Sequence, residues 1–460
     1  MFRYKNILGL SLLCMGFSMG IAQYAQAAPA AQVDFARTAS APNQIGFMHG
    51  AMTDYHVAAS TPAVIQRASE LMPGMWRGAD LPWSMDSGVA LGMGATPVYV
   101  LSDLWNANTP NPKAGCKNMF WNRPLPFQNM QVWRAWVTQQ INQIGLRQPS
   151  GAVWIDVWNE PDISMFWPAQ PNPRCYSNRI VDRDGSKYLM VFAAAEKIIR
   201  QKLGRRAKII GASTAGGAFD WTNKILLYCA KVGCRLDAVA WHFAGGSQKS
   251  VDLLGSYAAK LRSGLARNRA WRKASLGTRT PLWMTEYLPA PYHLMPGSLL
   301  SYWYAQERAG IAKAAICDWR DAGSRLNSLL ESDGTPRSIW WAARAYAQGR
   351  SHRVATSTNS GYYSVLASRS GLGDVPQILV GNNAAASRTQ TIGLSGLDKV
   401  GITSRLVWSY HPLPVAVRGQ PFPQLPDSQP GGSVAVRSGK AAISVRVPSG
   451  GMWVVDLAAG

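Results

Sequence analysis

Trp158-Asn159-Glu160-Pro161-Asp162 comes directly off the apolar run Val153-Trp154-Ile155-Asp156-Val157, which places an Asn-Glu pair where a buried strand gives way to a loop. A second carboxylate, Glu286, ends another apolar run, Pro281-Leu282-Trp283-Met284-Thr285, and is followed by Tyr287. Two glutamates at strand ends can divide the work of breaking a glycosidic bond. One donates a proton to the leaving oxygen while the other attacks or stabilises a cationic carbon.

The elements that must hold this pair follow from the rest of the chain. Apolar runs at 44–50, 75–78, 96–101, 153–157, 208–212, 236–243, 281–286 and 314–319 read as strands. Between most of them lie amphipathic stretches that read as helices: from Thr61-Pro62 to about 71, then 132–144, 187–203, 221–229, 253–265, 298–312 and 339–347. Such alternation predicts a parallel barrel of the TIM (β/α)8 type over residues 44–350, with catalytic groups on the loops that follow the strands. Glu160 and Glu286 then fall on strands 4 and 7. Their separation is 126 residues, about 42 for each of three β/α units against roughly 31 in a minimal barrel. Long segments after strands 3 and 4, to about 129 and over 163–184, are candidate substrate-binding loops. From about Ser351 short alternating runs separated by Gly, Pro, Asn and Ser predict a β-sandwich domain over 351–460.

Taken in order, the Asn-Glu-Pro that ends one strand and the Thr-Glu-Tyr that ends a later one resemble glycoside hydrolase clan A. Within the clan the chain looks most similar to family 39, which holds β-xylosidases, α-iduronidases and bacterial exopolysaccharide hydrolases. Phe166-Trp167, Asp237-Ala238-Val239-Ala240-Trp241-His242-Phe243 and Asp333-Gly334-Thr335-Pro336 support the likeness, which covers roughly residues 44–350. The resemblance implies a retaining enzyme with Glu160 as acid/base and Glu286 as nucleophile. It also implies that Asn159 holds the sugar 2-hydroxyl and that Arg77 steadies Glu286; His242 either touches substrate or nucleophile or is a satisfied core histidine. Where the clan often has a tyrosine two residues beyond that histidine, this chain has Ala244. Tyr287 is the candidate to compensate as a substrate contact. In a retaining site the two carboxyl groups lie about 5 to 5.5 Å apart, so like-charge repulsion from Glu286, with burial added, is expected to raise the pKa of Glu160.

Residues 1–27 read as a cleaved signal peptide: Arg3 and Lys5, the apolar stretch 7–22, then Ala25-Gln26-Ala27. Residues 28–43 form a connecting N-terminal segment. The expectation is a secreted or periplasmic protein that does not span the membrane. The formal net charge is +22, from 47 basic and 25 acidic residues, and such a field favours polyanions. Export and the lack of any nucleic-acid-binding motif argue against nucleic acid and leave an acidic polysaccharide, the outer face of an anionic envelope, or solubility alone as readings of the charge; the expected partner is a polysaccharide or oligosaccharide. The cysteines are Cys14 in the signal and five others. In an exported chain they tend to pair, and none sits in a Cys/His metal pattern, so neither metal nor cofactor is expected. Cys116 and Cys175, in loops that adjoin at one barrel face, and Cys229 and Cys234 are the expected disulfides. Cys317 reads as a buried strand residue.

Nineteen tryptophans supply aromatic faces on which sugar rings stack. Trp319, at the end of strand 8, is the expected floor beneath the cleaved sugar. Trp83, Trp105, Trp121, Trp167 and Trp241 are either further stacking surfaces or barrel core. Lys113, Lys117, Arg123, Arg174, Arg179, Arg183, Arg320 and Arg325 lie on loops of the same face and suit carboxylate-bearing sugars. The sequence thus predicts a secreted retaining glycosidase acting on a polysaccharide. A barrel that binds glycan without cleaving it, or a transglycosylase with the same residues, is the alternative.

Overall fold

The computed structural model of the protein describes residues 29–49, 61–81, 84–107, 125–163, 166–167, 182, 184–217, 219–243, 248–288, 292–317, 324–359 and 361–460. After β1 (Ala31–Thr38), eight parallel strands close a barrel in chain order: β2 (Gly46–Met48), β3 (Met75–Arg77), β4 (Thr96–Val100), β5 (Val153–Asp156), β6 (Ala207–Thr214), β7 (Ala238–Phe243), β8 (Leu282–Tyr287) and β9 (Lys313–Ile316). Phe47 opposite Ile316 makes the closing contact between β2 and β9. Around the barrel run α1 (Pro62–Ser69), α2 (Ser87–Gly92), α3 (Leu101–Ala107), α4 (Met130–Arg147), α5 (Ser186–Leu203), α6 (Phe219–Val232), α7 (Gln248–Arg267), α8 (Arg269–Lys273), α9 (Pro296–Ala309) and α10 (Ser338–Gly349).

Local chemistry fixes several of these boundaries. Thr61 Oγ1 accepts from Val64 N at 3.4 Å ahead of Pro62, so α1 begins where its cap and its proline require. α3 follows β4 directly, where the sequence predicts the start of a long loop. Leu101, Leu104 and Trp105 recur at helical spacing, and all three are buried.

Alternation along each strand sorts side chains between two cores. Met75, Val98, Ile210, Ala238, Ala240, Trp283 and Ala315 fill the lumen, where the Trp154 and Trp283 rings meet at 4.4 Å. The opposite parity, among it Phe47, Trp76, Tyr99, Ile155, Trp241 and Met284, packs outward against the helices. The Trp154–Trp283 pair plugs the lumen, with Lys313 Nζ 5.9 Å from the centroid of the Trp283 ring.

The second unit is a mostly antiparallel, nine-stranded sheet that curls toward a sandwich. It contains β10 (Arg353–Thr358), β11 (Tyr363–Ser368), β12 (Gln377–Asn382), β13 (Gln390–Ser395), β14 (Arg405–Leu413), β15 (Gln429–Ala435), β16 (Ala441–Val445) and β17 (Met452–Ala459). The order is β15-β14-β17-β12-β11-β10-β1-β13-β16. Residues 31–38 are therefore a strand of this sheet, antiparallel to β10 and parallel to β13. One face buries Val33, Phe35, Val365, Val380, Ile392, Ile443 and Val455. The other presents Leu366, Leu379, Leu413, Met452 and Val454 to the barrel's outer core. At Gly297 the first turn of α9 comes so close to the sheet that a β-carbon would collide with the carbonyl oxygens of Asn382 and Gly451. Among the described residues no helix is long and apolar enough to cross a membrane.

Candidate active site

Above the tryptophan plug, at the strand ends, the lumen holds one fully buried cation. Arg77, the last residue of β3, has no solvent exposure. Its Nε and Nη2 donate to Asp156 Oδ2 at 3.2 and 2.9 Å, Nη2 to Asn159 Oδ1 at 2.8 Å, and Nη1 to Glu286 Oε1 at 2.6 Å. Burial works against the guanidinium charge, but Asp156, Glu286 and Asp103 outweigh it and hold the pKa above its free value. Asp156 also accepts from Ser213 Oγ at 2.7 Å. Neither partner was anticipated from sequence. Asp156 did carry a signal, being an acid within an apolar run and sharing the lumen parity of Trp154.

Glu286 reaches the lumen because β8 is irregular. Met284 pairs with Trp241 and Glu286 with His242, so one extra residue, Thr285, is inserted between them. The β8/β9 pairing shifts over the same stretch. Strict alternation from the inward Trp283 would send Glu286 outward; the bulge reverses the parity and aims its carboxylate at Arg77. It also turns Tyr287 out. The Tyr287 hydroxyl donates to Gln44 O at 3.0 Å and accepts from Trp303 Nε1 at 3.0 Å, within the barrel–helix core. The expected substrate contact at Tyr287 is thus replaced by a packing role.

Glu160 stands four residues beyond β5 in a left-handed conformation, φ 43°. The loop is pinned on both sides. Ser213 O accepts from Glu160 N at 3.0 Å, and Ser102 Oγ accepts from Asn159 N at 3.0 Å. Ser102 in turn donates to Asp103, whose other oxygen lies 3.1 Å from His49 Nε2. With Asn159 Oδ1 taken by Arg77, Nδ2 is the side-chain group of Asn159 that can donate.

Burial pushes the Glu160 carboxyl up to about 7; Arg77 opposes this and Asp103 adds to it. The expected cause, repulsion by Glu286, is replaced by desolvation, because Glu286 is already paired with Arg77 at 2.6 Å. Two residues on, Asp162 is also raised to about 7, by burial first, despite accepting from Ala215 N at 2.9 Å. His242 lies between the two glutamates, Nδ1 at 2.7 Å from Glu160 Oε1 and Nε2 at 3.6 Å from Glu286 Oε1. Burial lowers its pKa to about 4, against the pull of Glu286, so the ring is neutral near pH 7. Oxygens of the two carboxylates come within 4.8 Å of each other.

The remaining candidates divide. Trp105, Trp167 and Trp241 are core: Trp105 packs edge-on against Trp133 and Trp136, Trp167 donates to Asp182 Oδ2 at 3.1 Å, and Trp241 meets Tyr257 at 5.0 Å. Arg325 is buried, its backbone paired with Leu330. Cys229 and Cys234 form a disulfide, with Cα atoms 4.4 Å apart, and Cys317 is buried just after β9. Cys116, Cys175, Trp83, Trp121, Trp319, Arg320, Ala244, Lys113, Lys117, Arg123, Arg174, Arg179 and Arg183 lie outside the described residues.

No protein-family model and no curated protein sequence matches the chain. Solved structures do match. N2152 from Neocallimastix frontalis aligns at a TM-score of 0.69 and 16% identity, over 94% of this chain and 99% of that one. A glucosidase from Croceicoccus marinus aligns at 0.62 and 12%, again over 94% and 99%. A GH39 enzyme from Xanthomonas axonopodis pv. citri aligns at 0.56 and 16%, over 96% and 99%. Barrel and second sheet together are therefore shared with these proteins, the GH39 enzyme among them.

Proposed function

We propose that the protein is an exported retaining glycoside hydrolase that cleaves β-glycosidic bonds in a polysaccharide, with an acidic bacterial exopolysaccharide as the preferred substrate. One observation carries the reading: two glutamates, one against the Arg77 cation and the other against the neutral His242 ring, stand within 4.8 Å across the strand ends of the barrel. That spacing suits the retaining range of about 5 to 5.5 Å and leaves no room for the water that an inverting pair must hold between them.

Roles follow from partners. Glu286, held in place by the Arg77 guanidinium, is the group that attacks the anomeric carbon. Glu160, raised to about 7 by burial, holds the proton that the departing oxygen needs. The C–O bond breaks as that proton moves, and a glycosyl ester forms on Glu286. Glu160, now ionised, removes a proton from water, which attacks the same carbon and releases Glu286. His242 takes up the 2.7 Å contact with Glu160 in either protonation state, since a neutral imidazole offers both a donor and an acceptor. The Asn159 amide, its orientation set by Arg77, donates to the 2-hydroxyl.

Proton NMR of a digest tests the reading. A panel of acidic and neutral polysaccharides is incubated with the protein, and the anomer formed first is recorded before mutarotation. The β-anomer is expected. The α-anomer, or no cleavage of any member of the panel, would overturn the proposal.

A further inference from the structure

We infer that Glu160, His242 and Glu286 also form a binding site for one divalent transition cation of the zinc type, with His242 Nε2 and Glu286 as its protein ligands and Glu160 as the outer support. The inference concerns donor atoms only and stands whether or not the chain cleaves a glycoside.

The imidazole is the starting point. Nδ1 lies 2.7 Å from Glu160 Oε1; with Glu160 ionised the ring proton sits on Nδ1, and Nε2 carries the lone pair. His242 is 2% exposed, and Nε2 is buried without a hydrogen-bond partner. That lone pair faces Glu286 Oε1 at 3.6 Å. Two ligands held at about 2.0 to 2.2 Å from a tetrahedral zinc ion are separated by roughly 3.4 Å, so the gap fits an ion with little movement of either group. A histidine that ligates a metal usually gives its other N–H to a carboxylate, which fixes the tautomer and makes the ring a better donor. Glu160 already occupies that place. Among the described residues, no other group brings three metal-competent side chains together.

Charge sets the selectivity. Arg77 touches the same Glu286 oxygen at 2.6 Å and repels any cation that relies on carboxylate charge alone. Magnesium and calcium, which need several oxygen ligands, are therefore disfavoured, whereas a cation with affinity for imidazole nitrogen keeps its strongest contact. Such an ion, placed between acid and nucleophile, excludes substrate.

Calorimetric titration of untagged, metal-stripped protein with zinc chloride, and separately with magnesium chloride, tests the site without any substrate. The expected result is one zinc per chain and no saturable magnesium binding. Zinc affinity should fall at least tenfold in both His242→Gln and Glu286→Gln. X-ray absorption of the zinc-loaded wild type should show imidazole nitrogen at about 2.0 Å, which keeps the test decisive should either variant fail to fold. Absence of saturable zinc binding, wild-type affinity in either folded variant, or a zinc shell of oxygen alone would overturn the inference.

Discussion

Arg77 Nη1 and Glu286 Oε1 meet at 2.6 Å, with the guanidinium fully buried and sharing its other donors between Asp156 and Asn159. One cation therefore orders Glu286, the residue beside Glu160, and Asp156 at the end of β5. Removing it strands Asp156 and Glu286 without their buried cation. Arg77→Ala is expected to destabilise the fold by about 3 to 5 kcal/mol, the usual cost of breaking a buried pair from one side. Arg77→Lys should recover part of this, since a point charge cannot span the three acceptors. Urea denaturation of both variants checks the order, and equal stability of Arg77→Ala and wild type would contradict it.

Glu286→Gln retains shape but removes the attacking oxygen's charge. Turnover should drop by a factor on the order of 10³ or more, with the far-ultraviolet circular dichroism spectrum unchanged. Near-normal turnover in the folded variant would exclude Glu286 as nucleophile.

Glu160 should set the alkaline limb of the rate profile. Its carboxyl is raised to about 7 by burial, so above pH 7 the proton needed by the leaving group is lost and kcat/KM should fall about tenfold per pH unit. Glu160→Ala should abolish this limb and lose most activity, and azide should restore part of it by attacking the glycosyl ester. The same shift affects stability. A folded pKa above the unfolded value means that between about 4.5 and 7 the native chain keeps a proton that the unfolded chain releases, so stability declines as pH rises through that window. Asp162, raised from 3.8 to about 7, adds to the decline. Asp162→Asn should flatten the slope of unfolding free energy against pH; an unaltered slope would contradict the assignment.

If the +22 formal charge serves recognition of an acidic polymer, apparent affinity for that polymer should fall as added salt shortens the Debye length from about 10 to about 3 Å. A neutral oligosaccharide should show little change, and Arg174→Ala with Arg179→Ala should weaken the acidic polymer more. Equal salt response for both would mean that the charge has no part in substrate choice.

The strand-ending glutamates were legible in the sequence because each terminates an apolar run, and burial of that run fixes where the carboxylate emerges. The face on which Glu286 emerges was not. Alternation counted from Trp283 points it away from the lumen, and the bulge at Thr285 that corrects this depends on register with both neighbouring strands. Tyr287 was misplaced for the same reason, since adjacent strand residues occupy opposite faces. Asp156 was visible as a charge among apolar neighbours, but its meaning required Arg77, 79 residues away. The strand at 31–38 also had its alternating Val33 and Phe35, yet nothing local could name its partners.

That first strand has a consequence for how the molecule is made. β1 lies between β10 and β13, so a segment synthesised early stays without neighbours until more than 300 later residues have emerged. Closing so long a loop makes assembly of the second unit a late, non-local event. A gene fragment cut at the boundary after α10 would give a barrel that trails an orphan β-strand, and a separate C-terminal product with a gap in its sheet. The two units are continuous in space but interleaved along the chain, which makes them poor candidates for modular exchange.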